Sequence, residues 1–137
     1  MTHTHSDLPP DFSGVRVLVA DDNALNLLIA RKFLTRRGAT VETADDGQAA
    51  LEKARDYHAR REPFHLVLLD IQMPNLDGYG VSRMIREFDR TVAILAMSAD
   101  DLSDEEVTAN GMNGFILKPF DPESLFDRIQ QVLPRVP

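Results

Sequence analysis

Cysteine is absent from all 137 residues, which excludes a disulfide framework and a thiolate metal site and fits a reducing compartment. Positive charge is scarce: 15 Lys and Arg stand against 22 Asp and Glu, a net charge of -7. That balance repels a phosphate backbone, so direct nucleic-acid binding is not expected. No apolar run approaches the roughly 20 residues of a membrane span, and no signal-peptide core follows Met1. A soluble, cytoplasmic protein is expected.

What is present suits one compact unit, since 43% of the residues are hydrophobic and the length leaves no room for a second ordinary domain. Residues 1–14 are polar, carry Pro9 and Pro10 and lack apolar periodicity, so they read as a flexible leader. His3 and His5 lie in it, and two imidazoles in a mobile tail are more often incidental than a metal site. The folded unit is expected over 15–133, with a tail over 134–137. Ending at Pro137, the chain is expected to carry no attached effector.

The organising stretch runs from Phe64 to Gly78. Leu66 to Leu69 are apolar without alternation, the pattern of a strand covered on both faces, which belongs mostly to parallel sheets. Asp70 then stands at a strand's carboxyl end, where open parallel sheets bind ligands, and Asp77-Gly78 turns the chain just beyond. Val15 to Ala20 form a first strand running into Asp21 and Asp22, followed by an amphipathic helix through Leu27, Leu34 and Arg37 to Gly38. Thr40 to Ala44 is a short strand, and a second helix is expected from Ala49 to about Arg61. Val81, Met84, Ile85 and Phe88 mark a third helix. Thr91 to Met97 form a strand delivering Ser98. Ser103, three before Glu106, predicts a capping box opening a short helix that stops by Gly111. Gly114 to Leu117 is the last strand, ending in Lys118-Pro119, and Pro122 starts a helix through Ile129 and Val132. Five strands alternating with five helices predict a parallel sheet with helices on both faces and right-handed crossovers.

At the strand ends, Asp21, Asp22, Asp70, Ser98 and Lys118 should converge. Three carboxylates in one crevice repel, and a hard divalent cation with oxygen ligands, magnesium above all, relieves that repulsion. Lys118 adds a compensating charge. The set suits phosphoryl transfer onto a carboxylate: metal and ammonium neutralise the phosphoryl oxygens, Ser98 donates a hydrogen bond, and Asp70 attacks. Taken singly, the residues have plainer readings. The aspartates could cap a helix, Lys118 could be a surface lysine, Ser98 a turn hydroxyl and Phe115 mere core. The acidic run Asp100 to Glu106 could be a solvated face. His58 and His65 suggest no role. It is the combination that favours chemistry.

Asp21-Asp22, Asp70, Ser98-Ala99 and Lys118-Pro119, in this order over roughly Val15 to Leu133, resemble the motifs of the receiver domain of two-component response regulators. Asp22 to Asn26 and Ala109 to Gly114 look most like receivers of hybrid sensor histidine kinases. The resemblance implies a flavodoxin-like (βα)5 fold, strand order 2-1-3-4-5. It implies that Asp70 is the phosphoacceptor, Asp22 a direct Mg2+ ligand, Asp21 a ligand through water and Gln72 a carbonyl ligand. Ser98 and Lys118 would hold the phosphoryl group, a cis peptide would precede Pro119, and Ser98 with Phe115 would form the switch. The donor would be a histidine kinase or histidine phosphotransfer protein, and an output partner would dock through the fourth helix, fifth strand and last helix. Members commonly have Thr where Ser98 stands and often Tyr where Phe115 stands. Two other classes compete. A Mg2+-dependent aspartyl-phosphate phosphohydrolase typically needs a second acid two residues beyond the nucleophile, where this chain has Gln72. A pseudo-receiver that only binds proteins would lack an essential group, and none is missing. Beyond transfer and slow self-hydrolysis, no enzyme activity is expected.

Overall fold

A computed structural model describes residues 10–133. His3, His5 and the expected tail 134–137 lie outside these residues. The elements alternate without exception: β1 (Arg16–Ala20), α1 (Ala24–Thr35), β2 (Thr40–Ala44), α2 (Gly47–Ala59), β3 (Leu66–Asp70), α3 (Gly78–Ile85), β4 (Ala93–Ser98), α4 (Asp104–Ala109), β5 (Gly114–Leu117) and α5 (Pro122–Val132). The five strands are parallel in the order β2-β1-β3-β4-β5. This is the doubly wound, flavodoxin-like architecture expected from the sequence.

Side chains alternate across each strand, and here both sides are dry. Val17, Val19, Leu66, Leu68, Leu95 and Met97 meet Leu34, Leu125 and Ile129 on the side of α1 and α5. Leu18, Val67, Leu69, Ile94 and Ala96 meet Leu51, Val81, Ile85 and Val107 on the side of α2, α3 and α4. Two covered faces explain why β3 and β4 read as unbroken apolar runs. Leu66, Leu68 and Leu69 are all fully buried, each contributing about 2 kcal/mol by removal from water, so Leu68→Ala should cost about 3 kcal/mol. Among the described residues no helix is long and apolar enough to cross a membrane.

Each helix opens on a polar cap. The side chains of Asn23, Asp46, Asp77, Ser103 and Asp121 accept from backbone N–H groups of the first turns of α1 to α5. The cap of α1 thus falls on Asn23, not on Asp21 or Asp22. The capping box of α4 forms only in part. Ser103 Oγ accepts from the Glu106 amide at 3.0 Å, but the Glu106 carboxylate accepts from the Tyr79 hydroxyl instead.

Several boundaries differ from the sequence pattern: α2 opens at Gly47, two residues before Ala49, and β1 at Arg16 rather than Val15. Helix α2 stops at Ala59, two residues short of Arg61, which adopts φ 61°. Helix α3 stops at Ile85, and β4 starts at Ala93 rather than Thr91. After Ile85 the chain tightens into a turn in which the Phe88 amide donates to the Ile85 carbonyl at 3.0 Å, and Asp89 Oδ1 accepts from the Thr91 and Val92 amides, which accounts for the later start of β4. Within the segment expected as a leader, Phe12 is 4% exposed. Its amide donates to the Arg37 carbonyl at 2.7 Å and its ring meets Phe126 edge-on at 5.7 Å, so packing begins before Val15.

Candidate functional site

Parallel strands release their last side chains in one direction, and the carboxyl ends of β1, β3, β4 and β5 bound a cleft of about 340 Å³. Its lining includes Asp21, Asp22, Asp70, Gln72, Ser98 and Lys118. Asp70 is the last residue of β3, in register with Met97 of β4. Asp21 follows directly on β1. Asp21, Asp22 and Asp70 each offer a carboxylate oxygen, all within 4.8 Å of one another.

Asp21 is wholly buried and fully engaged. Its Oδ1 accepts from the Asn23 amide at 2.9 Å, and Oδ2 accepts from Asn26 Nδ2 at 3.2 Å. Lys118 Nζ sits 2.8 Å from Asp21 Oδ2 and 3.2 Å from Asp70 Oδ1, and the Gln72 amide donates to Asp70 Oδ1 at 3.3 Å. Asp22 is exposed at the mouth. The Lys118–Pro119 peptide is cis.

Three carboxylates against one ammonium leave two formal negative charges uncompensated. The strain appears at Asp70, whose pKa burial and the Asp21 charge push up from 3.8 to about 6, against the pull of Lys118. At Lys118 burial works against the charged form, but the hydrogen bond and charge of Asp21, with those of Asp70, more than reverse it and hold the ammonium above the ordinary lysine value. The donor set is entirely oxygen, hard and anionic. It fits a divalent cation of the Mg2+ class, which retains waters and takes one or two carboxylates.

Ser98 lines the same cleft, but its hydroxyl is turned away from Asp70. It donates to the Asp100 carbonyl at 2.8 Å and accepts from the Asp100 amide at 3.0 Å, the turn geometry that a serine after a strand adopts on its own. The predicted convergence therefore holds for the carboxylates and Lys118 and not for the Ser98 hydroxyl. Phe115 is outside the cleft, half-buried against the core cluster that contains Ala96 and Val107. Asn26 was not apparent from sequence, although its place three residues after the cap Asn23 aims it from the first turn of α1 at the strand ends. His65, given no role, accepts from the Arg16 amide at 2.9 Å and ties the starts of β1 and β3. Burial, with the Arg16 charge, lowers its pKa.

Comparison with known proteins agrees with this geometry. The family model of the response regulator receiver domain matches residues 17–130. The chain is 35% identical over 114 residues to the transcription factor SKN7 of Saccharomyces cerevisiae, covering 82% of this chain and 18% of that protein. It is 38% identical over 116 residues to the rice two-component response regulator ORR41, covering 81% and 88%. The chain spans less than a fifth of SKN7 and of the histidine kinases it matches. Among solved structures, the receiver domain of the sensor histidine kinase PA1611 from Pseudomonas aeruginosa superposes with a TM-score of 0.75 at 30% identity, covering 88% of this chain and 98% of that one. That structure has a magnesium ion coordinated in the active site cleft. Fold, strand-end acidic cluster and sequence agree, and this chain belongs to the response regulator receiver domain family of two-component signalling.

Proposed function

We propose that the chain takes a phosphoryl group from a phosphohistidine onto Asp70, with Mg2+ held by Asp21, Asp22, Asp70 and the Gln72 carbonyl, and that the resulting acyl phosphate changes its partner surface. The observation that carries this reading is Lys118 Nζ bridging Asp21 and Asp70 inside a cluster of three carboxylates. The metal would screen the phosphoryl oxygens and draw together carboxylates that otherwise repel.

The protein's own groups supply the rest. Lys118 and the Gln72 amide both sit on Asp70 Oδ1, which fixes the carboxylate plane and leaves the second oxygen for attack. As it attacks, the phosphorus–nitrogen bond of the donor breaks, an oxygen–phosphorus bond forms, and the imidazole leaves with the electron pair and takes up a proton. Lys118 then moves from carboxylate to phosphoryl oxygen. The Ser98 hydroxyl must leave Asp100 to donate to the same group. Leu25 and Leu28, 62% and 52% exposed, flank Asn26 at the rim and offer the donor, a histidine kinase or histidine phosphotransfer protein, an apolar foothold. A groove of about 390 Å³ lined by Asp101, Phe115, Leu117, Phe120 and Arg128 is the surface for a downstream partner. Gln72 in place of a second acid argues against turnover of small phosphate esters.

Labelling with acetyl phosphate in Mg2+ tests the assignment. Wild type should take up one acid-stable, base-labile phosphoryl group, lost with EDTA and absent in Asp70→Asn, because an amide of the same shape is no nucleophile. Stoichiometric label on Asp70→Asn places the acceptor elsewhere and sinks the reading.

A further inference from the structure

We propose that the first turn of α2, through Asp46 and Gly47, positions the loop that follows Asp70 and thereby sets the metal affinity of the site. The inference rests on the magnesium-binding reading above.

Residues 71–77 leave β3 without regular structure and carry Gln72 into the cleft. Their two ends are closed backbone to backbone: the Gly78 amide donates to the Ile71 carbonyl at 3.0 Å, and a Cβ on Gly78 would stand 2.4 Å from the Asp70 carbonyl oxygen. The middle is held from α2. A Cβ on Gly47 would stand 1.7 Å from the Leu76 carbonyl oxygen, so only glycine lets the loop backbone lie on that turn. Next to it Asp46 divides its carboxylate, Oδ1 capping α2 at the Ala49 amide at 2.7 Å and Oδ2 accepting from Asn75 Nδ2 at 3.3 Å. Asn75 has φ 74°, a left-handed conformation that asparagine tolerates better than most residues. On the far side the Leu76 side chain lies over Gly80 of α3, where a Cβ would come within 2.6 Å of Leu76 Cδ1.

Asp46, Gly47, Asn75 and Leu76 do not line the cleft, so they touch neither metal nor phosphoryl group. They are positioning residues. A loop seated between α2 and α3 holds Gln72 at one distance from Asp70, whereas a loop lifted off α2 moves Gln72 and its carbonyl with it. Outer groups that orient a ligand commonly change metal affinity about 10-fold or more when altered.

The test is calorimetric titration of Mg2+ into the folded protein at a temperature well below its melting point, for wild type, Gly47→Ala and Asn75→Gly. Gly47→Ala, which forces Leu76 outward, should raise the Mg2+ Kd about 10-fold. Asn75→Gly retains the left-handed backbone and removes only the bond to Asp46, and should raise it about 3-fold, the size of one exposed hydrogen bond. A merely structural role lowers the melting temperature and leaves the Kd of the folded protein alone. If Gly47→Ala does not fold, Asn75→Gly decides: an unchanged Kd overturns the proposal. Wild type that fails to bind Mg2+ overturns the underlying functional reading and this inference with it, whereas wild type and variants binding equally overturn only the positioning role of Asp46 and Gly47.

Discussion

Strands β3 and β5 deliver Asp70 and Lys118 to the same cleft, yet they are supported in opposite ways. All five residues of β3 are buried between two neighbouring strands. β5 is an edge strand of four residues, with Ile116 buried and Leu117 44% exposed. The helix before it, α4, has six residues and buries only Val107. Polar contacts from α3 hold that helix and the turn after it. The Tyr79 hydroxyl donates to Glu106 and Arg83 donates to Asn110. Arg86 donates from Nε to the Gly111 carbonyl at 2.8 Å and from its terminal nitrogen to Asn113 Oδ1 at 3.1 Å. A buried leucine contributes about 2 kcal/mol and an exposed hydrogen bond about 1 or less. Asp70 therefore stands on the half that does not yield, and the groove lined by Phe115 belongs to the half whose supports can be exchanged.

The largest effect should come from removing the charge that joins β5 to the carboxylates behind β1 and β3. Lys118→Ala leaves the wholly buried Asp21 and the nearly buried Asp70 without their ammonium. Metal-free stability should fall by about 3 kcal/mol, the lower end for breaking a buried pair, and saturating Mg2+ should restore most of it. Urea melts in EDTA and in Mg2+ check this. A loss under about 1 kcal/mol would mean that water, not Lys118, compensates the carboxylates.

A smaller effect isolates Asp70. Its folded pKa of about 6 lies above the ordinary 3.8, so the folded state holds the proton more tightly than the unfolded state does. Stability from this group is present at low pH and is lost as pH rises through about 6. Metal-free Asp70→Asn should therefore be more stable than wild type above pH 6, and its advantage should vanish on acidification toward 3.8. His65, lowered by burial and by Arg16, acts in the other direction, its stability being lost as pH falls through the ordinary 6.5. That loss is common to both proteins and cancels in the difference. Melting temperatures of the two in EDTA across this range are the measurement, and an advantage independent of pH would remove Asp70 from the strained set.

The elements of both halves were legible in the sequence, β5 over Gly114–Leu117 and α4 behind its Ser103 cap included, but the contacts that hold the soft half were not. Unbroken apolar runs announced β1, β3 and β4, and the carboxylates at the ends of β1 and β3 announced the cleft, because strand period and strand polarity are properties of consecutive residues. The rest depends on pairs far apart in the chain. Tyr79 and Glu106 are 27 residues apart, as are Arg83 and Asn110, and no local pattern joins them. Asp46 and Asn75 are 29 apart. Phe12 read as part of a polar leader because one aromatic has no period, and its use shows only in its packing on the Phe126 ring of α5. The direction of the Ser98 hydroxyl is a rotamer choice between its own turn and the cleft, which residue type leaves open.

Loosening the soft half further should leave the chemistry alone. Arg86 is about half-buried, its pKa lowered by burial with Asp89 partly restoring it, and its guanidinium serves three acceptors: Gly111, Asp89 and Asn113. Arg86→Ala should cost about 1.5 kcal/mol, speed amide hydrogen exchange from Asp104 to Leu117, and leave the Mg2+ Kd and acetyl phosphate labelling of the folded protein unchanged. A changed Kd would show that α4 supports the metal site directly and would erase the distinction between the halves.

The smallest effect concerns Phe115. Its ring is half inside, packed against the cluster of Ala96, Val107 and Met112 while lining the outer groove. The backbone of Phe115 is in register with Ala96, two residues before Ser98. On the proposed function, Ser98 would turn from Asp100 toward a phosphoryl group on Asp70, which would open volume beside β4 and let the ring move further in. Phenylalanine has no hydroxyl to keep wet, so the inward position should already be partly populated, and phosphorylation should need to shift it by only about 1 kcal/mol. Beryllofluoride with Mg2+, an acyl-phosphate mimic, should then perturb amide signals through Asp100 to Glu106, β5 and α5 as well as at the cleft. Phe115→Ala should accept phosphate at the wild-type rate, because the ring is outside the cleft, yet confine those perturbations to residues 71–77 and 98–102. If wild type already shows only that confined pattern, no signal reaches the soft half by any route; if instead Phe115→Ala keeps the wild-type pattern, the signal travels through the polar contacts from α3 and not through Phe115.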